Sequence, residues 1–188
     1  MLLSEFDFDL PDELIAQEPL AERDASRMLA LDKGGASFTD HRFLELPELL
    51  SPGDVLVIND TQVFPARLIG HRILDGKAGA QVEALLSKRL GENLWEAIAR
   101  PGRALGIGNR VSFGGDELMA EVVGIKEDGR RVFRFECRDS FDRIIDRIGN
   151  SPLPPYIKRS YEEGISLKDP RYQTIYAASR GAIAAPTA

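Results

Sequence analysis

The stretch from Gly53 to Arg72, GDVLVINDTQVFPARLIGHR, marks a change in the pattern of the chain. Val55–Ile58 is an unbroken run of β-branched residues and leucine, which predicts a strand covered on both faces. The polar residues 59–61 follow directly, and from Ala66 onward short apolar segments alternate with turn signals. We therefore predict that this stretch ends one domain and opens another.

Six strands are predicted beyond this point, separated by glycine-rich and charged turns. They cover residues 66–72, 80–88, 94–99, 110–113, 118–125 and 131–136. Six short strands at this spacing are typical of a small barrel or sandwich.

Helical and extended patterns occupy the segments on either side. Near the N-terminus, Pro11 followed by acidic residues predicts a short helix, and the glycine pair at 34–35 predicts a hairpin turn. Apolar residues at i, i+3, i+4 and i+7 predict a helix over residues 141–148, ended by Gly149. Alternation in RYQTIYA, residues 171–177, predicts a further strand.

These patterns together predict an α/β (α+β) domain that is split in sequence. Its two pieces would cover residues 1–66 and 137–188. A small six-stranded β-barrel domain would be inserted between them at residues 67–136.

Composition points to a reducing compartment. The 188 residues include one cysteine, Cys137, so no disulfide can form within the chain. No apolar run approaches the roughly 18 residues of a membrane span, and the acidic start does not resemble a secretory signal. We expect a cytoplasmic protein with no membrane partner.

Charge is unevenly distributed along the chain. The formal net charge is −6, which argues weakly against a nucleic-acid partner. Residues 1–50 are strongly acidic, whereas residues 100–159 carry more basic than acidic side chains. The basic segment is either a local patch for phosphate or an ordinary solvated surface.

Several chemistries find no support. The sequence contains no P-loop and no nucleophile elbow of the G-x-S-x-G type. Two histidines and one cysteine, far apart, make a zinc site improbable, and we expect no metal. The lone G-x-G at residues 106–108 reads as turn glycine.

Four polar clusters remain, and each has two interpretations. Asn59, Asp60 and Thr61 with Arg67 either satisfy the backbone at a strand end or form a site beyond that strand. The segment ERDASRM, residues 22–28, is a turn with solvated arginines or an anion contact. Residues 152–160 are a stiff linker or a rigid support for phosphate contacts, and residues 171–177 are a core strand or part of a site.

The chain resembles the family of S-adenosylmethionine:tRNA ribosyltransferase-isomerases of queuosine biosynthesis. The resemblance is carried by FDFDLPDELIAQEPLAERDASRML, GDVLVINDTQVFPARLIG, LPPYIKR, RYQTIYA and GAIAAPTA, in that order. These five stretches span essentially the whole chain, and the family also has an α/β domain with an inserted β-barrel.

This resemblance implies a reaction. The ribosyl part of S-adenosylmethionine would be transferred and isomerised onto 7-aminomethyl-7-deazaguanine at the tRNA wobble position. The product would be epoxyqueuosine-tRNA, with adenine and methionine released. S-adenosylmethionine would be a substrate, tRNA the partner, and the complete enzyme a monomer without metal.

The resemblance also suggests roles for named residues. Asp60 is the candidate base or ribose contact, although a family histidine outside this chain competes for the role. The expected substrate-binding residues are Arg23, Arg27, Asn59, Thr61, Arg67, Tyr156, Lys158, Arg159, Arg171 and Tyr172. Among them the arginines and lysine would hold carboxylate or phosphate, and the tyrosines would stack on bases.

Two further expectations follow. The family's chains continue past the small-residue motif into a Gly-Leu-His-Phe-Thr stretch and a long α/β portion, so we expect this chain to be the N-terminal portion. An alternative function is a non-catalytic RNA-binding β-barrel module. Aromatic residues exposed on the barrel would favour that alternative, and buried ones would favour a scaffold.

Overall fold

The computed structural model describes residues 2–35, 37–162 and 166–185. The chain divides into two compact units. The first runs to Ile58 and also includes Tyr156–Lys158. The second covers Asn59–Pro155 and the residues from Arg159 onward.

The first unit contains one antiparallel hairpin. Strand β1 (Arg27–Leu31) pairs with β2 (Phe38–Arg42), which confirms the predicted hairpin. A single turn of 3₁₀-helix then leads into the four-residue helix α1 (Leu46–Leu49). The predicted helix after Pro11 is wrong, because only a 3₁₀ turn forms at Asp12–Leu14. The turn buries no side chain, so no packing stabilises a longer helix there.

Apolar side chains in the first unit remain open to solvent. None of its described residues is buried. Val55, Leu56, Val57 and Ile58 are 87, 63, 77 and 52% exposed, and no strand forms there. The prediction of a doubly covered strand at Val55–Ile58 is therefore wrong. The run has the composition of a buried strand, but no described strand lies beside it to supply hydrogen bonds and cover.

The second unit is built around a closed barrel of six antiparallel strands in the spatial order β4-β5-β6-β9-β8-β7. The strands are β4 (Arg67–Leu74), β5 (Lys77–Gly91), β6 (Leu94–Arg100), β7 (Arg110–Phe113), β8 (Leu118–Ile125) and β9 (Arg131–Glu136). All six were predicted at these places in the sequence. Closure removes every free sheet edge from this part of the molecule.

Aromatic rings fill one part of the barrel core. Phe113, Phe133 and Phe135 are buried, with ring centroids 6.0 to 6.3 Å apart. Helix α2 (Phe141–Ile148) lies against them through Phe141, whose ring stacks on Trp95 at 5.4 Å. The apolar face predicted for this helix is therefore its packing face, with Ser140 and Gly149 as its caps.

The predicted fold class is confirmed. The six-stranded barrel is inserted between segments that form strand pairs: antiparallel β1–β2, and parallel β3 (Thr61–Val63) with β10 (Ser179–Ala182). The predicted domain boundaries at residues 66/67 and 136/137 stay a prediction. Among the described residues, no helix has the length and apolar character that crossing a membrane requires.

Gly70 allows β4 and β7 to approach closely. A Cβ atom at this position would lie 2.0 Å from the Ser112 carbonyl oxygen and 2.6 Å from the Phe113 ring. We expect Gly70→Ala to destabilise the barrel by about 1–3 kcal/mol, since overpacking forces backbone shifts. Urea unfolding followed by fluorescence of Trp95, the only tryptophan, measures the change.

Gly106→Ala is the matched control. A Cβ atom there meets nothing within 4 Å, so its unfolding midpoint should stay close to that of the unmodified chain. Equal midpoints for the two variants would show that the β4–β7 approach is not tight.

Candidate active site

Two of the predicted motifs meet at the parallel strand pair β3–β10. Thr61 lies opposite Ser179, and Gln62 lies opposite Arg180. The carbonyl oxygen of Asp60 accepts hydrogen bonds from the amides of Ala178 and Ser179, at 2.7 and 3.2 Å. The backbone thus brings the Asn59–Thr61 segment against the start of β10, although well over a hundred residues separate them in sequence.

Polar side chains cluster where the two strands begin. The Ser179 hydroxyl donates to Asp60 Oδ2 at 3.4 Å, and the Thr61 hydroxyl donates to the Ser179 carbonyl at 3.4 Å. Asn59 Oδ1 accepts from the Thr61 amide at 3.0 Å, which closes a local turn. The Asp60 carboxylate is exposed, so it is accessible to a ligand.

The position of this cluster differs from the expected one. Residues 59–61 were expected at the carboxyl end of a buried strand, but Val55–Ile58 forms no strand. Asn59 and Asp60 instead precede β3, so they lie at the amino ends of both parallel strands.

Gln173 connects a third motif to β3. Its amide nitrogen donates to the Val63 carbonyl at 3.0 Å, and its amide oxygen accepts from the Val63 amide at 2.9 Å. The side chain thereby takes the place of a neighbouring strand residue. The prediction of a strand over residues 171–177 is wrong, because this segment consists of turns.

Tyr172 and Arg171 lie beside Gln173 and are half-buried. Their backbone amides donate to Asp169, Arg171 to the carboxylate at 2.8 Å and Tyr172 to the carbonyl at 3.1 Å. Tyr172 lines a largely apolar cleft of ≈ 480 Å³ together with Val63 and Lys168. An aromatic ring in such a cleft is available for packing against a ligand.

Arg67 is buried and held by the protein itself. Its guanidinium forms an ion pair with Glu83 and donates to the Leu153 carbonyl at 2.6 Å. It also lies 4.9 Å from the ring centre of Tyr161. Burial raises the pKa of the Tyr161 hydroxyl, so this ring stays neutral beside the cation. These contacts tie Arg67 to the protein itself, and its predicted substrate contact stays a prediction.

Asn150, which the sequence analysis missed, completes this junction. It is 1% exposed and exchanges two backbone hydrogen bonds with Arg67, at 2.8 and 3.2 Å. Its side chain donates to the Arg67 carbonyl at 3.3 Å and accepts from the Leu167 amide at 2.7 Å. An asparagine whose side chain bonds to backbone groups belongs to no recognisable sequence motif, so this role is visible only in the structure.

A second cluster forms within the first unit. The Gln17 amide nitrogen donates to the Tyr156 carbonyl at 2.9 Å, and its oxygen accepts from the Lys158 amide at 2.8 Å. Lys158 Nζ lies 3.1 Å from Asp12 Oδ2. The N-terminal motif and LPPYIKR therefore contact each other, and the Tyr156 side chain remains exposed.

The remaining predicted residues are dispersed. Arg23 accepts a hydrogen bond at its carbonyl from the Ser26 hydroxyl at 3.2 Å, and Arg27 lies 3.9 Å from Asp40. Both arginines are exposed, whereas Arg159, in the second unit, is half-buried. The last three residues of GAIAAPTA lie outside the described residues.

Sequence reasoning missed Gln17, Gln173 and Ser179. Gln17 and Gln173 stand inside the quoted motifs, whereas Ser179 falls in the short gap between two of them. A glutamine within a motif of apolar and aromatic residues was the available signal. Within the described part of the chain, no group of three or more histidine, cysteine or acidic side chains is placed to hold a metal ion.

The arrangement defines a class of protein, an α/β protein with an inserted barrel and a polar, carboxylate-containing cluster on a parallel strand pair. Comparison with known sequences gives the family. The profile of the queuosine biosynthesis protein family matches residues 3–188, and the chain belongs to that family.

Curated relatives carry the same description. Proteins named S-adenosylmethionine:tRNA ribosyltransferase-isomerase are 45% identical in Halothermothrix orenii, 46% in Acetivibrio thermocellus and 47% in Caldanaerobacter subterraneus subsp. tengcongensis. Each match covers 100% of this chain and 53% of the relative. The chain therefore spans about half the length of the curated relatives it matches.

One solved structure is also similar. It is the crystal structure of the S-adenosylmethionine tRNA ribosyltransferase from Thermotoga maritima, with 36% sequence identity. The match covers 87% of this chain and 56% of that chain, with a TM-score of 0.38.

The two hydrogen bonds between the Gln173 side chain and the Val63 backbone give a testable prediction. In Gln173→Glu, a carboxylate oxygen replaces the amide donor opposite the Val63 carbonyl, so two acceptors face each other. We expect faster hydrogen exchange of amides in β3, with the barrel amides unchanged. The control is Gln62→Glu, which introduces the same charge at an exposed neighbouring residue. Equal exchange rates in the two variants would show that the Gln173 side chain does not hold β3 in place.

Proposed function

We propose that the complete gene product containing this chain is an S-adenosylmethionine:tRNA ribosyltransferase-isomerase. It transfers and isomerises the ribosyl moiety of S-adenosylmethionine onto 7-aminomethyl-7-deazaguanine at the tRNA wobble position, and epoxyqueuosine-tRNA results. The relatives' names support this assignment, as does the family match over residues 3–188. We also propose that the protein acts in the cytoplasm as a monomer.

One structural observation carries the proposal. Two regions that are distant in sequence, residues 59–63 and residues 173–179, are hydrogen-bonded around the single pair β3–β10. Their polar groups are exposed or half-buried. A barrel scaffold needs no such convergence of hydroxyl, carboxylate and amide groups, whereas a site for a ribosyl group does.

Asp60 is the residue to which we assign proton transfer. The sulfonium of S-adenosylmethionine makes the neighbouring C5′ proton acidic, and the reaction needs a base to remove it. The Asp60 carboxylate is accessible and lies beside the Ser179 hydroxyl. We propose that Asp60 accepts this proton or a ribose hydroxyl hydrogen bond, with Asn59 and Thr61 at the lip of the nucleoside site.

The basic and aromatic residues receive separate roles. Lys158, Arg159 and Arg171 are assigned to tRNA phosphates, because cationic side chains supply most of the affinity for a polyanion. Tyr156 and Tyr172 are assigned to base stacking. We assign Arg23 and Arg27 to the methionine carboxylate or a phosphate. No metal takes part in this proposal.

The alternative of an RNA-binding barrel module finds less support. Trp95, Phe113, Phe133 and Phe135 are all buried, at 7% exposure or less. A stacking platform needs exposed rings, so these aromatics act as core.

The base assignment is tested by Asp60→Asn in the complete gene product. The substitution keeps the shape and removes the carboxylate, so we expect ribosyl transfer to fall by a factor of about 10²–10⁴. Asp75→Asn is the control, because Asp75 is exposed in a hairpin turn with a φ of 49°, which asparagine also tolerates. Near-normal turnover of Asp60→Asn would remove Asp60 from the mechanism.

The phosphate assignment is tested by the salt dependence of tRNA binding. We expect Lys158→Ala to weaken binding and to reduce the slope of log K against log salt by about one, because one phosphate contact is lost. Lys77→Ala, at an exposed barrel turn, should leave the slope unchanged. An unaltered slope for Lys158→Ala would overturn this role.

A further inference from the structure

A second cleft opens beside β10, within the unit that contains the barrel. Its volume is ≈ 280 Å³. The wall combines two cations, a carboxylate, a hydroxyl and two aromatic rings. The residues that supply these groups are Arg89, Arg180, Asp142, Ser87, Phe64 and Trp95. The proposed ribosyl transfer uses none of them.

Two arginine–aromatic pairs lie in this wall. The guanidinium carbon of Arg180 lies 5.3 Å from the ring centre of Phe64, and that of Arg89 lies 5.7 Å from the ring centre of Trp95. Both rings are buried, whereas the arginine side chains are 35 and 45% exposed. Planar guanidinium groups on the accessible side provide surfaces on which another planar group stacks.

The charges of the cleft argue against a simple anion site. Asp142 accepts from Arg89 at 3.4 Å and lies 3.9 Å from Arg180. Asp146 accepts from Arg180 at 2.7 Å. Two carboxylates thus offset the two guanidinium charges, and Asp142 would repel an entering anion. A neutral ligand with its own donors and acceptors matches this wall better.

We propose that this cleft binds a nucleobase with an exocyclic amino group, of which adenine is the best match. The base stacks on the guanidinium planes, and its amino group donates to the Asp142 carboxylate. An arginine carries five N–H donors, so Arg89 and Arg180 retain donors for a ring nitrogen. The volume lies just below the usual range for sites of drug-sized ligands, so it suits a ligand as small as one base.

The source of the base is either a free nucleoside group or an unpaired base in RNA. Both sources present the same planar face and amino group, so the wall recognises them alike. That such a substrate reaches the protein rests on the proposed function. Binding itself is measured without turnover, so a failure here is separate from a failure of ribosyl transfer.

The experiment is a titration of the purified chain with adenosine and with inosine, followed by fluorescence of Trp95 in the cleft wall. Inosine carries a carbonyl where adenosine carries the amino group. The carbonyl oxygen and the Asp142 carboxylate are both hydrogen-bond acceptors, so they cannot bond to each other. We expect adenosine to quench the fluorescence at concentrations about tenfold lower than inosine. Equal affinities for adenosine and inosine would overturn the proposal. It would also be overturned if neither nucleoside and neither single-stranded oligoadenylate nor oligouridylate quenched the fluorescence.

Asp142→Asn tests the contact directly. An amide both donates and accepts, so this variant should bind inosine about as well as adenosine. Asp139→Asn, before the start of α2, makes the same change outside the cleft wall and should keep the preference for adenosine. An unchanged preference in Asp142→Asn would remove Asp142 from recognition and overturn the proposal.

Arg180→Lys tests stacking, because lysine keeps the charge and loses the plane. We expect about tenfold weaker adenosine binding, with Arg143→Lys on α2 as the control. Single-stranded oligoadenylate and oligouridylate distinguish the source. Preference for oligoadenylate that depends on Asp142, without binding of adenosine, supports the proposal with RNA as the source.

Discussion

The buried junction between Arg67 and Asn150 is the constraint on which the second unit depends. Their backbones exchange two hydrogen bonds, and the Arg67 guanidinium is held by Glu83 and the Leu153 carbonyl. This junction joins the first barrel strand to the segment that returns after α2. A buried cation remains stable only when its partners are in place, so the geometry of this junction is tightly specified. Strand β3 precedes this junction in the sequence, and β10 follows it.

The barrel was predictable because its information is local. Alternating apolar residues and turn glycines fix each strand, and each strand of the β4-β5-β6 run pairs with its sequence neighbour. Helix α2 was predictable for the same reason, since its apolar face and the glycine that ends it lie within ten residues. Closure of the sheet was not local information, because it depends on the pairs β4–β7 and β6–β9, whose strands are not sequence neighbours.

The remainder could not be read from local patterns. Val55–Ile58 has the composition of a buried strand. A strand also needs a second strand to pair with, and the composition of the segment does not show whether one is present. Residues 171–177 alternate like a strand, but the Gln173 side chain makes the bonds that a strand backbone would have made. At the candidate site, Asp60 was named from its motif, and its role stays a prediction. Its partner Ser179 was not named, because a contact across 119 residues leaves no local signal.

The separation of β3 and β10 in sequence has a consequence for folding. Each barrel hairpin closes a short loop, whereas the β3–β10 pair closes a loop of more than a hundred residues and makes few bonds in return. Contacts of this kind form late, after the intervening chain has become compact. We therefore expect the barrel to fold first and to shorten the distance between the two strands. In that order, the cluster around Asp60 is assembled after the barrel, and it is lost before the barrel when the chain opens.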